Sequence, residues 1–386
     1  MKIKDIEINN FKNFKRLVIK DIPKETRLVV LIGPNGTGKT SLLEAFNFYQ
    51  QQRGFLHQGD KGYFAKNNGV IDSVDVNNLV KISFHDCDND DLVLKRGVIR
   101  KQFYFRTAYR NETDFISNEI KKQNNPEEEI RLPRLNFNDI AVSSNYQRLI
   151  NRIFFSYYDV NNETKIIKDV RDEPINIINN ALINIFKNLK LQSGDILYKN
   201  HNFIFSKKKS DHNTEDIYYK NLSAGEKGVF DLVIDIVIKR EIYKSSTYCI
   251  DEPEAHIHSK LQGIVLRELY KLIPSDSQLW IATHSVGMLN EAENIEHENP
   301  GSVIFLDFSN IDFDKEKILA PVNLSKAIRN KFYEYILGDF SKLILPSCLV
   351  LCEGSNIGNK RKSFDCDIYS KIVKDKFKDV DLISSG

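Results

Sequence analysis

An eight-residue stretch, Gly33-Pro34-Asn35-Gly36-Thr37-Gly38-Lys39-Thr40, limits the folds open to this chain more than any other feature. It fits the pattern G-x-x-x-x-G-K-[ST], follows a strand-like stretch, Arg27 to Ile32, and precedes helix-compatible sequence. Glycines let backbone N–H groups crowd around an anion, and the N-terminus of the next helix adds positive potential at the same place. The spacing therefore predicts a strand, a phosphate-cradling turn and a helix beginning near Lys39. Lys39 is expected to reach the β- and γ-phosphates of ATP and the Thr40 hydroxyl to ligate Mg²⁺, with Asn35, Gly36, Thr37, Gly38 and Ser41 around the phosphates.

The rest of the chain supports an α/β fold with a parallel core. After residue 220 the pattern alternates: helix from Ala224 to about Tyr243, strand Thr247 to Ile250, helix Lys260 to Ile273, strand Gln278 to Ala282 and strand Ser302 to Leu306. Alternating strands and helices imply parallel pairing. The start reads differently. Residues 3–11 and 14–19 alternate apolar and polar, as two strands of a hairpin do, and the same alternation from Leu79 to Phe105 predicts further antiparallel strands, with Asp86 to Asp91 as their turn. A mixed sheet with antiparallel strands plus a parallel core is the expectation.

Between 111 and 220 the sequence is rich in Asn and Lys with helical stretches such as Ile175 to Leu189, and reads as an inserted helical lobe without a sustained heptad repeat. The expected division is 1–110 and 221–310 as the two lobes of one head, 111–220 as the insertion, 311–345 as linker helices and 346–386 as a small C-terminal α/β segment.

Composition narrows the class. With 41% hydrophobic and 28% charged residues the chain can build a core, and a net charge of +2 provides no global field toward nucleic acid or an anionic membrane. The five cysteines form no even disulfide framework, and Met1 leads straight into strand-like sequence. A reduced, cytoplasmic setting is expected. Apolar runs such as Leu28 to Ile32 fall far short of the roughly 20 residues that cross a bilayer.

Three further motifs carry chemistry. Tyr248-Cys249-Ile250-Asp251-Glu252 is an apolar strand ending in two carboxylates: Asp251 suits Mg²⁺ and Glu252 suits orientation or deprotonation of an attacking water. Glu254 reads as a cap on the Pro253 turn. Ile281-Ala282-Thr283-His284-Ser285 ends the next strand, placing His284 where it can hydrogen-bond a γ-phosphate. Leu222-Ser223-Ala224-Gly225-Glu226-Lys227 is a capped helix start that offers N–H groups and a hydroxyl to an anion. Glu254, His256 and His258 also alternate as a metal set would, though shaping a protein contact is the favoured reading; Cys348 and Cys352 are too isolated for a zinc site.

Taken together, the opening Ile6 to Phe14, the phosphate loop, LSAGEKG, the D-E-P-E-A-H-I-H run and T-H-S resemble the ABC-type AAA ATPases of the OLD (overcoming lysogenisation defect) group, over roughly residues 1–290. The resemblance implies an ABC-type P-loop head that hydrolyses ATP. It also implies a head-to-head dimer, in which Ser223, Gly225 and Glu226 of one copy face the γ-phosphate held by the other, within a larger assembly or beside an effector protein in anti-phage defence. It places Lys12 and Asn13 near the base or ribose. Arg106 and Arg110 occupy the stretch where many such heads carry a lid glutamine.

Leu349 to Gly354 resembles the first strand and glutamate of a TOPRIM-type module, with Glu353 as the metal-binding candidate. Such nucleases also need later aspartates on another strand. Asp365 and Asp367 precede the next expected strand, so that role is not transferred to them. Two rival readings stay open: an ATP-gated metal-dependent DNA nuclease and a DNA-repair clamp. Basic and aromatic residues at 100–110 and 326–334 serve either nucleic-acid contact or solvated surface, the latter favoured.

Overall fold

The computed structural model describes residues 1–55, 66, 79–85, 96–110, 142–158, 164, 166–192, 202–208, 213–322, 329–330, 332–333, 348–353 and 380–385. The chain divides into two compact units, Met1–Asn323 and Leu324–Gly386.

In the first unit the parallel core forms as the alternation predicts. Strands β3 (Leu28–Ile32), β5 (Phe103–Arg106), β9 (Thr247–Asp251), β10 (Gln278–Ala282) and β11 (Val303–Asp307) assemble in the order β11-β3-β10-β9-β5, and every neighbouring pair is parallel. β3, β9 and β10 are buried at all five positions, as strands covered on both faces must be. The antiparallel flank also forms. β1 (Ile3–Phe11) pairs antiparallel with β2 (Phe14–Ile19) and β4 (Val80–Phe84), and β12 (Glu316–Leu319) joins β2 in parallel.

Helix α1 (Lys39–Gly54) is buried around most of its circumference, from Leu42 and Leu43 to Phe46, Phe48 and Tyr49. Phe46 stacks on Phe103 at 5.4 Å and meets the edge of Trp280 at 5.1 Å, so one aromatic cluster joins the helix to β5 and β10. A polar residue there needs partners. Gln50 finds them by donating to the carbonyls of Ile99, Arg100 and Phe103.

Two expectations are corrected. Phe103–Arg106 is the parallel edge strand of the core beside β9, where further antiparallel pairing was expected up to Phe105; Asp86 to Asp91 lies outside the described residues. The stretch expected to be helical does carry α2 (Val142–Ser156) and α3 (Ile167–Phe186), but β6 (Leu189–Leu191), β7 (Ile204–Lys208) and β8 (Thr214–Tyr218) follow as an antiparallel sheet. Beyond them α4 (Ala224–Lys239), α5 (Ser259–Leu272) and α6 (Val286–Glu298) connect the later strands.

In the second unit β13 (Cys348–Glu353) pairs in parallel with β14 (Val380–Ser385), Glu353 opposite Ser385. The linker helices expected over 311–345 are corrected at 316–319, where β12 extends the sheet of β2, and most of the rest of that stretch lies outside the described residues, as do Asp365 and Asp367. No described helix is long and apolar enough to cross a membrane.

Candidate active site

Parallel strands leave their C-terminal ends on one edge of a sheet, and ligands of open α/β sheets bind there. The register makes this concrete: Ala282 lies opposite Asp251 on one side and Leu31 on the other. The loop after β3, the carboxylates ending β9 and the histidine after β10 therefore emerge at one level.

The phosphate loop turns through glycines at positive φ, 76° at Gly36 and 95° at Gly38. Gly38 is also too close to the Phe14 ring for any Cβ to fit. Asn35 and Gly36 are exposed, Thr37 is half-buried and donates from Oγ1 to the Pro34 carbonyl at 2.9 Å, and Ser41 is half-buried in the first turn of α1. Lys39 is buried and donates from Nζ to the carbonyls of Gly33 (2.9 Å) and Pro34 (2.8 Å). Burial lowers its ammonium pKa to about 8, against the pull of Asp251, Glu252 and Glu254. All three carboxylates thus act on one lysine.

Thr40 Oγ1 donates to Asp251 Oδ2 at 2.9 Å. Asp251 Oδ1 is buried without a hydrogen-bond partner among the described residues. Burial pushes this carboxyl up to about 6, the Thr40 hydrogen bond opposing. A hydroxyl beside an orphaned carboxylate oxygen is a hard-oxygen pair that fits Mg²⁺.

Glu252 sits in the left-handed region at φ 43°, a conformation that persists when its surroundings hold it. Its N–H donates to the Ala282 carbonyl at 2.9 Å, and its own carbonyl accepts from Arg110 Nη2. Arg110 Nη1 also donates to the Asp251 carbonyl at 3.0 Å. Arg110 is therefore a clamp on the backbone of both carboxylates. Arg106 has a separate post: fully buried, it pairs with Asp235 at 3.1 Å and donates to the Asp231 carbonyl, tying β5 to α4.

His284 is half-buried, and burial followed by the charge of Lys39 lowers its pKa to about 4. Its imidazole is neutral at physiological pH. The backbone N–H of His284 and the Thr283 hydroxyl both donate to Glu254 Oε1, at 2.6 and 2.8 Å. Glu254 does not serve as the local cap of the Pro253 turn; it reaches the next strand's loop. Sequence reasoning missed this, as it missed the Arg110 clamp.

Ser223 and Glu226 close a capping box at the start of α4: the Ser223 hydroxyl accepts from the Glu226 N–H, and Glu226 Oε2 accepts from the Ser223 N–H at 2.9 Å. Glu226 Oε1 meets Lys207 Nζ at 2.6 Å. Burial alone would raise the Glu226 carboxyl, but Lys207 and Ser223 hold it below its ordinary value. A Cβ on Gly225 would lie 2.8 Å from the His256 carbonyl, so the helix start packs on the loop after the carboxylates. Among the described residues no hydrogen bond joins Ser223 or Glu226 to the phosphate loop of the same chain.

Lys12 pairs with Glu44 of α1 at 3.0 Å, and Asn13 is exposed. His258 caps α5, His256 is exposed at φ 65°, and no trio of His, Cys, Asp or Glu gathers as a metal cluster among the described residues.

A family model described as "AAA domain, putative AbiEii toxin, Type IV TA system" matches residues 28–290. The DNA replication and repair protein RecF of Chlorobium phaeobacteroides (strain BS1) is 33% identical over 91 residues, 22% of this chain and 24% of that protein. RecF of Chlorobium luteolum (strain DSM 273 / BCRC 81028 / 2530) is 44% identical over 48 residues, 12% of each. The match thus spans at most about a quarter of the length of these relatives. Among solved structures, the SmcHead bound to the C-winged helix domain of ScpA aligns with a TM-score of 0.50 at 13% identity, over 85% of this chain and 99% of that one. The SMC head domain from Thermotoga maritima aligns at 0.43 and 14%, over 84% and 100%. The first likeness is one of fold: an α/β ATPase head with a parallel core and an antiparallel flank. With the family model covering its phosphate loop, carboxylate strand and histidine loop, the chain belongs to this AAA domain family of P-loop ATPases.

Proposed function

We propose that this chain binds ATP with Mg²⁺ on the Gly33–Thr40 loop and hydrolyses it. The observation that carries the reading is the Thr40–Asp251 hydrogen bond at 2.9 Å, with Glu252 next in the chain and His284 one strand away. Lys39 leaves the loop carbonyls for the β- and γ-phosphates, and Asn35, Gly36, Thr37, Gly38 and Ser41 supply backbone N–H groups and hydroxyls around them. Thr40 and Asp251 would hold the Mg²⁺ that arrives with ATP, and the cation would supply positive charge against the phosphates. Glu252 orients the attacking water and takes its proton, while neutral His284 donates to the γ-phosphate.

The site is completed by a second copy. Among the described residues no hydrogen bond joins Ser223 or Glu226 to the phosphate loop of the same chain, and the cap that Glu226 and Lys207 hold gives Ser223 and Gly225 a fixed geometry toward an anion across a head-to-head interface. We place the chain in the OLD group, as a cytoplasmic ATPase whose nucleotide state switches an effector or a TOPRIM-like C-terminal segment in anti-phage defence. The family description, which names a type IV toxin–antitoxin system, supports a toxic effector. The domain plan of two head lobes around an insertion belongs to the same proposal.

The test is ATP turnover measured together with mass in solution, for wild type and Glu252→Gln, with and without ATP. Loss of turnover with an ATP-locked dimer supports the composite site; normal turnover by Glu252→Gln overturns it. A second reading, a DNA-repair clamp, is favoured by the RecF likeness and demands ATP-dependent, salt-sensitive DNA binding. Divalent-dependent nicking of DNA abolished by Glu353→Ala would instead favour the nuclease reading.

A further inference from the structure

We propose that Glu254 is a positioning residue of the hydrolytic step: a strut that fixes the His284 loop relative to Glu252. The inference rests on the ATPase reading above.

Beyond the ends of β9 and β10 the backbone ladder makes one more rung, from the Glu252 N–H to the Ala282 carbonyl at 2.9 Å. There the strands separate. The next link is made by a side chain: Glu254 Oε1 takes both the Thr283 hydroxyl and the His284 N–H, at 2.8 and 2.6 Å. These contacts span 29 and 30 residues of sequence, so they cannot be a local turn motif. Two other attachments hold the histidine loop near this point, a 3.4 Å bond from the Thr283 N–H to the Leu31 carbonyl and the Ser285 hydroxyl donating to Gln262 Oε1 of α5, and neither reaches the loop of Glu252. Glu254 therefore couples the loop bearing the water-orienting carboxylate to the loop bearing the γ-phosphate donor.

The second oxygen argues against a role in stability alone. Glu254 Oε2 is buried with no hydrogen-bond partner among the described residues, and burying an unpaired carboxylate oxygen costs stability. A strut kept only for folding is better made from a neutral group. What the carboxylate provides is one oxygen accepting two short hydrogen bonds, and charge-assisted bonds are shorter and stiffer than neutral ones. Misplacing a catalytic group by an ångström lowers turnover without touching the binding of the nucleotide's distal parts.

The experiment measures kcat, KM and ATP Kd for wild type, Glu254→Gln, Glu254→Asp, Glu254→Ala, His284→Ala and the Glu254→Ala/His284→Ala double variant. Glu254→Ala is expected to lower kcat about tenfold or more with Kd within about threefold. The double variant should be no slower than His284→Ala, since both changes remove one function. Glu254→Gln keeps an acceptor oxygen in place without the charge and should retain part of the turnover, above Glu254→Asp, which is one methylene too short. If Glu254→Ala fails to fold, this order of Gln above Asp decides the matter by itself. A flat series, a parallel loss of Kd and kcat, or independent multiplication in the double variant overturns the proposal. Failure of the ATPase reading looks different: wild type then hydrolyses no ATP, or Glu252→Gln hydrolyses it normally.

Discussion

The Thr40 hydroxyl bonds one oxygen of Asp251 and leaves the other buried with no hydrogen-bond donor among the described residues. An apo site built this way holds a desolvated carboxylate whose pKa is raised. Neutralising it should help the empty protein and ruin the loaded one. Asp251→Asn is expected to leave the apo melting temperature unchanged or higher, and to abolish the Mg²⁺-ATP stabilisation, which for wild type is about 2.7 kcal/mol at a hundred times Kd. Thermal melts with and without Mg²⁺-ATP decide this; a retained shift in the variant would remove Asp251 from the metal.

His284 gives a pH dependence with a defined sign. Its pKa falls from an ordinary 6.5 to about 4 in the fold, so between those values the unfolded chain binds more protons. The stability it contributes is complete above pH 6.5 and is lost as pH falls toward 4. On acidification from pH 7.5 to about 4.5, wild type should lose more melting temperature than His284→Gln. Equal losses would mean that His284 titrates normally in the native protein.

Lys39 acts at the other end of the scale. Its ammonium titrates near 8 in the empty loop, and a triphosphate requires the charged form. ATP affinity should be level up to that pH and weaken about tenfold per unit above it. Calorimetric titrations between about pH 7 and 9.5, in buffers of different ionisation enthalpy, should show proton uptake on binding at the alkaline end. Constant affinity with no proton uptake would count against Lys39 as a phosphate ligand.

Gly225→Ala separates helix propensity from packing. Alanine favours a helix over glycine by about 1 kcal/mol, yet here its Cβ would press on the His256 carbonyl at 2.8 Å. Net destabilisation of about 1–3 kcal/mol is expected by chemical denaturation, because backbone yields less readily than a side chain. A stabilised variant would show that the loop of His256 moves freely.

Asp235 stands between Arg106 and Lys239, at 3.1 and 2.7 Å, with all three buried. Asp235→Ala removes the buried carboxylate that Arg106 and Lys239 share and should cost about 3–5 kcal/mol, measured by urea unfolding. A loss below about 1 kcal/mol would indicate that water reaches the cluster.

The regular elements after residue 220 were legible because buried parallel strands alternate with amphipathic helices there, and the structure puts β10 at 278–282 as read. The phosphate turn, the carboxylates and the histidine were legible because each needs particular residue types in a short span. Phe103–Arg106 was not. A short aromatic strand looks the same whether it pairs with a hairpin neighbour or with Thr247–Ile250 far downstream. The sheet of β6, β7 and β8 was hidden by polar, half-exposed strands such as Thr214–Tyr218, whose composition carries little strand signal. Glu254 and Arg110 escaped for a common reason: their partners lie at positions 283–284 and 251–252, and only the sheet order brings them within reach.

The parallel sheet joins the motif loops through interior strands that are hydrogen-bonded rung for rung. Distance along the chain between the motifs is therefore mechanically irrelevant: 211 residues separate Thr40 from Asp251, and their side chains touch. Such a head is a chassis with an open bay. Strand order, not the length of chain between the motifs, sets where their side chains meet, and within the segment between β5 and β9 it is Arg110 and the start of α4 that touch the carboxylate strand and its loop.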